Sequence, residues 1–190
     1  MRKIKNFKVN LRVREIVRVI KKLTNSADLA PELEEAVQRG CHFYSKFLVP
    51  AVVYDTFAKG SLPFLYEKDA PQKWVAQSIF FLTIGDKLSE EFKKNETAYG
   101  QHTPKIVSAI AVDALEQSKN FLQRLLSNEA EDENCELSRS SELPKDYFTQ
   151  AAQILPIDKI NLTLQGETLI PQYSTCGLFY WTASKKTNKR

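Results

Sequence analysis

The stretch PQYSTCGLFYW, residues 171–181, is strongly apolar although it lies close to the end of the sequence. Five of its eleven residues are aromatic or large and aliphatic, and a Pro, a Ser and a Gly follow one another at intervals of three, as Pro171, Ser174 and Gly177. Terminal segments are normally polar and poorly ordered. An apolar stretch at this position is therefore expected either to be buried in a core or to line a surface that something else covers, and the run CGLFYW within it predicts a strand.

Other segments on either side of this stretch also have the pattern of β-strands. The segment AVVYDTF alternates and is rich in β-branched residues, whereas IFFLTI is continuously apolar, as expected of a central strand. Glycine and proline residues mark turns between the shorter segments. The predicted strands lie at residues 51–57, 62–66, 79–84, 160–164 and 167–171.

Apolar residues at helical spacing indicate several amphipathic helices. The longest predicted helix, residues 104–126, keeps its apolar stripe over about six turns, which is long enough to span a domain. The next segment, residues 127–143, is acidic and without periodicity, and predicts a mobile surface loop. Further helices are predicted at residues 10–23, 31–48 and 144–155, and a short one is predicted to begin at Asp86.

The order of these elements favours an α+β fold. We expect a mostly antiparallel, twisted sheet with helices packed against it and one long central helix. A length of 190 residues with 43% hydrophobic content favours a single domain, at residues 1–181, followed by a basic, flexible tail at residues 182–190.

Three cysteines at wide spacing indicate neither a disulfide framework nor a zinc site, and they fit a reducing cytoplasm. The sequence has no apolar run of membrane-spanning length, and its first residues, MRKIKNFKVNLRVR, lack the apolar region of a signal peptide. We therefore predict a cytoplasmic protein without a membrane partner.

The residues that could support catalysis are few and scattered. The two histidines are His42 and His102, and neither has a Ser, Cys or carboxylate at a spacing that indicates a catalytic triad. His42 follows Cys41 on a predicted helix, where adjacent residues point about 100° apart, so the two cannot bind one metal ion together. We assign no catalytic and no metal-binding residue, and the pattern favours binding over catalysis.

Several of these stretches, taken in order, resemble the activation domain of cobalamin-dependent methionine synthase and its stand-alone relatives. Residues 31–57 are similar to the early helix of that family, which leads through a proline into a strand. FFLTIG, residues 80–85, is similar to its strand ending in Thr-Ile-Gly, and residues 113–126 to its long helix. LIPQYSTCGLFYW, residues 169–181, resembles its closing hairpin with the same Pro, Ser and Gly spacing.

This resemblance implies a stand-alone, divergent member of the family that binds S-adenosylmethionine. Such a protein would be an accessory to a corrinoid-dependent methyltransferase, and would help to return the oxidised corrinoid of a partner protein to service. The partners implied are a corrinoid-binding protein or methyltransferase and, in addition, a reductase. The ligand-binding residues implied are Arg139, Tyr147, Tyr173, Ser174 and Gly177.

One segment departs from the family pattern. The family has an Arg followed by a Gly-Tyr loop, which holds S-adenosylmethionine through backbone and Arg contacts. The corresponding residues 136–148 read ELSRSSELPKDYF, with Arg139 but without the Gly-Tyr pair. The alternative is therefore a divergent docking module for a corrinoid protein or its reductase that has lost ligand binding.

A third hypothesis comes from the charge distribution. The net charge is +4, and the first 22 residues contain nine Lys or Arg against one Glu. A basic N-terminal helix of this kind can bind nucleic acid. We place this hypothesis behind the other two, because no base-stacking or groove-entering motif accompanies the charge.

Overall fold

The computed structural model describes residues 1–25, 31–62, 65–97 and 103–184. The predicted α+β class is confirmed: an antiparallel sheet is packed between helices, one of which is very long. The strands are β1 (Arg2–Lys5), β2 (Ala51–Ala58), β3 (Trp74–Thr83), β4 (Cys135–Leu137), β5 (Ser141–Glu142), β6 (Thr163–Gln165), β7 (Thr168–Ile170) and β8 (Ser174–Ala183). The helices are α1 (Val13–Thr24), α2 (Pro31–Tyr44), α3 (Lys87–Lys94), α4 (Thr103–Asp132) and α5 (Phe148–Ile154).

Strand β8, which contains most of the apolar stretch near the end of the sequence, lies inside the main sheet. The strand order is β1-β2-β3-β8-β4, every pairing is antiparallel, and β5 also pairs with β8. Leu178 and Tyr180 face one side of the sheet, and Phe179 and Trp181 face the other. Since both faces are covered, β8 is buried without interruption from Cys176 to Trp181, as expected of an interior strand.

Each face of the sheet packs against a different part of the chain. One face contacts the C-terminal half of α4 through Leu122, Leu126 and Ala130. The other face is covered by α5, by a 3₁₀ turn at Ile157–Ile160 and by the two-stranded β6–β7 hairpin. A third cluster joins α1, α2 and the N-terminal half of α4. The sheet is therefore an inner layer, and α4 links two of the three clusters.

Helix α4 corrects the prediction for residues 127–143. The helix has 30 residues and ends at Asp132, because Ala130 extends the buried stripe one turn beyond Leu126. The rest of the predicted loop contains β4 and β5, which pair with β8. These strands have only three and two residues, which is too short for alternation to show in the sequence.

Other predictions are also corrected. Strand β1 was not predicted, and residues 65–66 are not a strand, while residues 63–64 lie outside the described residues. The predicted strand at 160–164 begins only at Thr163, after the 3₁₀ turn. Strand β7 pairs with β6 in a separate small sheet, so the predicted closing hairpin with β8 is wrong.

The helices of the N-terminal half and of residues 144–155 are close to their predicted positions. Helix α1 occupies Val13–Thr24, and a 3₁₀ turn at Lys145–Tyr147 leads into α5. Strand β8 continues to Ala183, and residues 185–190 lie outside the described residues, so the basic tail stays a prediction. Among the helices of the described ranges, none combines the length and apolarity needed to cross a membrane.

Candidate functional site

A cavity of about 270 Å³ lies where β8 begins, at one end of the main sheet. We call it the rim cavity. Its apolar floor consists of Leu143, Phe148, Leu169 and Cys176. Polar and charged side chains surround this floor: Glu142, Lys145, Glu167, Thr168, Gln172, Ser174 and Thr175. An apolar floor with a few polar groups at its margin is typical of small-molecule sites.

The end of β5 opens this cavity. Glu142 lies opposite Gly177 of β8, and the Leu143 N–H donates to the Cys176 carbonyl over 3.4 Å. At Pro144 the chain leaves the sheet and enters the turn before α5. The first two residues of β8 therefore have a strand neighbour on the β3 side and the rim cavity on the other.

The pairing of β8 with β3 determines the direction in which the backbone N–H and C=O groups of Ser174 point. The Tyr173 carbonyl accepts a hydrogen bond from the Ile84 N–H over 3.2 Å, so the backbone of Tyr173 is directed toward β3. Successive residues of an antiparallel strand direct their N–H and C=O groups to opposite sides. The backbone N–H and C=O of Ser174 thus point away from β3, toward the side on which β5 has ended.

The side chain of Ser174 is already hydrogen-bonded within the protein. Its hydroxyl lies 2.9 Å from Thr83 Oγ1 and 2.7 Å from the Pro171 carbonyl oxygen. Thr83 Oγ1 in turn accepts from the Gly85 N–H over 3.0 Å. This network fixes the turn before β8, so Pro171 and Ser174 position the strand while the Ser174 backbone faces the cavity.

Gly177 is required by packing. A Cβ atom there would lie 2.6 Å from Cζ of Phe80 and 2.8 Å from the Ser141 carbonyl oxygen. Both distances are far below van der Waals contact. Gly177 therefore allows β5 and the Phe80 ring to approach β8, and its pairing with Phe80 and Glu142 places it within the sheet.

Arg139, the predicted carboxylate-binding residue, does not line the rim cavity. It is exposed and lies between β4 and β5, one residue after Ser138, whose N–H donates to the Tyr180 carbonyl over 2.8 Å. Tyr180 is six residues from Ser174 along β8, which corresponds to roughly 20 Å at 3.4 Å per residue. The structure therefore separates Arg139 from Ser174, and the cation at the cavity is Lys145.

The two predicted tyrosines also lie apart from the rim cavity. Tyr147 is half-buried and packs edge-on against Tyr66, with ring centroids 5.4 Å apart. Tyr173 packs against the helical cluster of α1 and α2, and its hydroxyl hydrogen-bonds to Ser108. Burial raises the pKa of the Tyr173 phenol, so its hydroxyl remains protonated near neutral pH.

The chemistry available in the rim cavity is that of binding. Cys176 is buried, and burial raises the pKa of its thiol well above the ordinary value, so it is a poor nucleophile. Within the described ranges, no group of three His, Cys, Asp or Glu side chains is arranged to hold a metal ion. Two carboxylates, Glu142 and Glu167, and one ammonium group, Lys145, can interact with a ligand that has both charges.

Sequence reasoning missed Lys145 and Glu167. Lys145 lies in the segment that the family resemblance had selected, six residues after Arg139, so that segment contained a second candidate cation. Glu167 belongs to the turn between β6 and β7, and no sequence pattern indicated that this hairpin would reach the start of β8.

The fold and the site together define an α+β domain with an antiparallel sheet covered on both faces and a cavity at the start of its interior strand β8. No protein-family model and no curated protein matches the sequence. In structure, the chain is similar to the crystal structure of the MetH reactivation domain bound to AdoHcy, with a TM-score of 0.65 and 13% sequence identity. The match covers 97% of this chain and 79% of that one. At this identity the likeness shows the fold, and it supports the fold family predicted from the sequence.

Proposed function

We propose that this chain is a stand-alone, divergent relative of the methionine synthase activation domain that binds S-adenosylmethionine in the rim cavity. One observation supports this most strongly. The two segments that the resemblance selected, residues 136–148 and 169–181, approach each other and line the same cavity. The structural neighbour was crystallised with AdoHcy bound, which adds support from the fold.

In this proposal four residues of the cavity contact the ligand. Lys145 pairs with the carboxylate of the methionine moiety, and the Ser174 backbone hydrogen-bonds to polar atoms of the ligand. Phe148 and Leu169 contact its apolar surfaces. S-adenosylmethionine supplies a methyl group when it is bound, and the corrinoid that receives it belongs to a partner protein.

The size of the cavity is compatible with part of such a ligand. Its volume of about 270 Å³ is just below the range of about 300–1,000 Å³ that is typical of small-molecule sites. The cavity is open to solvent, so a nucleoside can extend past Glu142 and Glu167. A partner protein seated over this opening would cover the ligand. This arrangement agrees with an accessory role, in which the corrinoid protein or methyltransferase, and a reductase, complete the site.

Calorimetric titration with S-adenosylmethionine tests the proposal, with two lysine variants and one arginine variant. We expect Lys145→Gln to weaken binding about tenfold, because it removes a charge-assisted hydrogen bond. Arg139→Gln should leave the affinity unchanged, because Arg139 lies outside the cavity. Lys159→Gln, on the turn before β6, is the matched charge control.

Two outcomes would contradict this assignment. Absence of heat with the native protein at millimolar ligand would exclude S-adenosylmethionine binding. Loss of affinity in Arg139→Gln, with none in Lys145→Gln, would place the ligand outside the rim cavity.

A second candidate function is a docking module for a corrinoid protein or its reductase without a ligand of its own. The position of Arg139 favours it, because the residue expected to hold the ligand carboxylate is exposed and distant from Ser174. Both faces of the sheet are also filled by the protein's own side chains. Surface plasmon resonance distinguishes the two functions. It measures the affinity for a purified corrinoid protein with and without S-adenosylmethionine. Binding that does not respond to S-adenosylmethionine, together with a silent calorimetric titration, supports docking alone.

A further inference from the structure

A second cavity, of about 630 Å³, lies between residues 7–13 and the C-terminal end of α2. We call it the N-terminal groove, and it shares no lining residue with the rim cavity. The chain that forms one wall is fixed near its end by the ion pair of Arg12 with Asp113 and at its start by two further contacts. The Asn6 N–H donates to the Pro50 carbonyl over 2.8 Å, and the Phe7 ring stacks on Phe121 of α4 with centroids 4.4 Å apart. The groove is therefore part of the packed structure.

The floor of this groove is apolar. Residues of the N-terminal segment and residues that follow α2 contribute aliphatic and aromatic side chains to it, together with the buried Cys41. The apolar lining consists of Phe7, Val9, Leu11, Val13, Leu48 and Pro50. Burial of a hydrocarbon chain against such a surface is favourable, because it removes apolar area from water.

Apart from the Cys41 thiol, the titratable side chains that line the groove are all basic. They are Lys8, His42 and Lys46, and no Asp or Glu occurs among the described residues that line it. By contrast, the cavity of about 640 Å³ beside Tyr54 and Trp181 is lined by four acidic residues, and the rim cavity by two. The charged side chains that line the N-terminal groove are therefore basic, and the Asp113 carboxylate, which acts on the Cys41 thiol, is paired with Arg12.

Neither lysine is neutralised within the part of the chain that the structure describes. Lys8 and Lys46 form no ion pair there, whereas Arg2 and Arg12 of the same region pair with Glu129 and Asp113. The ammonium group of Lys46 lies 4.4 Å from the centre of the Phe43 ring and 5.1 Å from that of Phe47. Neither ring lines the groove, and the cation–π contacts leave the charge of Lys46 without a carboxylate partner among the described residues.

We propose that the N-terminal groove binds an amphipathic carboxylate, with the hydrocarbon part on the apolar floor and the carboxylate between Lys8 and Lys46. This inference goes beyond the proposed function, because it concerns a separate cavity and a ligand without a nucleoside. The hydrocarbon part would pack against the apolar floor. The carboxylate would form ion pairs with two lysines that have no other ion-pair partner among the described residues.

Three probes distinguish the contribution of the carboxylate from that of the hydrocarbon chain: octanoate, 1-octanol and acetate. Calorimetry on the full chain should show octanoate binding with a sub-millimolar Kd. Octanol, which lacks the charge, should bind at least fivefold more weakly, and acetate, which lacks the tail, should give no heat at 20 mM. Amide chemical-shift changes with octanoate should concentrate at residues 7–13 and 38–48.

Variants test the two cations separately. Lys8→Gln and Lys46→Gln should each weaken octanoate binding about two- to fivefold, as expected for the loss of one solvent-exposed charge pair. Lys46→Gln also removes the contacts with Phe43 and Phe47, so Lys8→Gln is the cleaner test. Lys93→Gln on α3, outside the groove, is the matched control and should not change the affinity.

Equal affinities for octanol and octanoate would overturn the proposal, as would a Lys8→Gln variant that binds octanoate as tightly as the native protein. Chemical-shift changes centred on Ser174 and Lys145 would instead show that the probe enters the rim cavity. Because octanoate and S-adenosylmethionine are titrated separately, failure of one proposal does not decide the other.

Discussion

Gly177 shows how a single missing side chain determines the packing of the central strand. An alanine there would place its Cβ 2.6 Å from Phe80 and 2.8 Å from the Ser141 carbonyl oxygen, so either the ring or β5 must move. We expect Gly177→Ala to lower the free energy of unfolding by about 2–3 kcal/mol, the upper part of the range for overpacked cores. Urea denaturation followed by circular dichroism measures this change.

Two further variants isolate the steric cause. At Gly60, where φ is +77° and nothing lies within 4 Å of the added Cβ, alanine should cost only the backbone strain of about 1 kcal/mol. Phe80→Leu in the Gly177→Ala background should recover part of the lost stability, which a double-mutant cycle detects as coupling. If Gly177→Ala is no more destabilising than Gly60→Ala, the close approach to Phe80 is not what requires the glycine.

The reactivity of Cys41 is a second property of a single residue. Burial, together with the negative charge of Asp113, raises the pKa of its thiol to about 11. Since the thiolate is the nucleophile, a thiol with this pKa is ionised in only about one molecule in a thousand at pH 8. Iodoacetamide should therefore modify the half-exposed Cys135 well before Cys41, and the Cys41 rate should rise about tenfold per pH unit between pH 8 and 10.

Peptide mapping after timed alkylation measures these rates. In 8 M urea the difference in alkylation rate between Cys41 and Cys135 should disappear. This measurement controls for differences between the peptides that do not depend on the fold. Alkylation of Cys41 in the folded protein at the rate of Cys135 would show that its environment is more open than the structure indicates.

One ion pair attaches the start of α1 to the N-terminal half of α4. Arg12 Nη2 and Nε donate to Asp113 Oδ1 over 2.7 and 3.0 Å, and the Arg12 backbone N–H donates to Oδ2 over 2.8 Å. The Asp113 side chain is only 1% exposed, whereas that of Arg12 is 44% exposed. Because a buried charge without a partner is costly, removing the arginine should be worse than removing the aspartate.

We expect Arg12→Ala to cost about 3 kcal/mol of unfolding free energy, because it leaves the Asp113 carboxylate buried and unpaired. Asp113→Ala should cost about 1–2 kcal/mol, since water can hydrate the half-exposed guanidinium and the main loss is the hydrogen bond to the start of α1. The Arg12→Met/Asp113→Leu double variant should be more stable than Arg12→Ala. Urea denaturation of the three variants at pH 7 provides the comparison, and a larger cost for Asp113→Ala would contradict this account.

The elements that sequence reasoning found and missed differ in how they are stabilised. Strand β8 and helix α4 were predictable because their own apolar patterns bury them. Strands β1, β4 and β5 are held by backbone hydrogen bonds to longer strands, so their sequences need not be apolar, and RKIK even reads as a charged segment. The C-terminal turns of α4 were missed because acidic residues surround Ala130, although that small residue is enough to continue the buried stripe.

In the folded molecule, the predicted site residues differ in whether a local pattern or the tertiary packing determines their position. Ser174 was selected because its spacing from Pro171 and Gly177 is a local pattern, and the structure places it at a cavity. Arg139 was selected by its position in a segment, but the direction of its side chain depends on how β4 and β5 pair with β8, which no local pattern specifies. Glu167 and Lys145 come together only through the tertiary packing of the β6–β7 hairpin.

The main sheet and α4 each contribute to two hydrophobic clusters, and we therefore predict that the molecule unfolds as one unit. Trp74 is buried on one face of the sheet and Trp181 on the other, where its Nε1–H donates to Ser78 Oγ over 2.7 Å. The sheet links these two clusters, and α4 links the second of them to the helical cluster of α1 and α2. Loss of one cluster would therefore expose a face of an element on which another depends, which favours a single cooperative transition.

Two single-tryptophan variants test this cooperativity. In Trp181→Phe, the fluorescence of Trp74 should follow the same urea transition as circular dichroism at 222 nm, which reports mainly on the helices. In Trp74→Phe, the fluorescence of Trp181 should coincide with circular dichroism in the same way, although the two variants will differ in stability because Trp181→Phe also removes the hydrogen bond to Ser78. In either variant, a fluorescence midpoint at lower urea concentration than the circular dichroism midpoint would contradict this prediction. It would show that one face of the sheet unfolds while the helices remain, so that α4 is stable without the sheet.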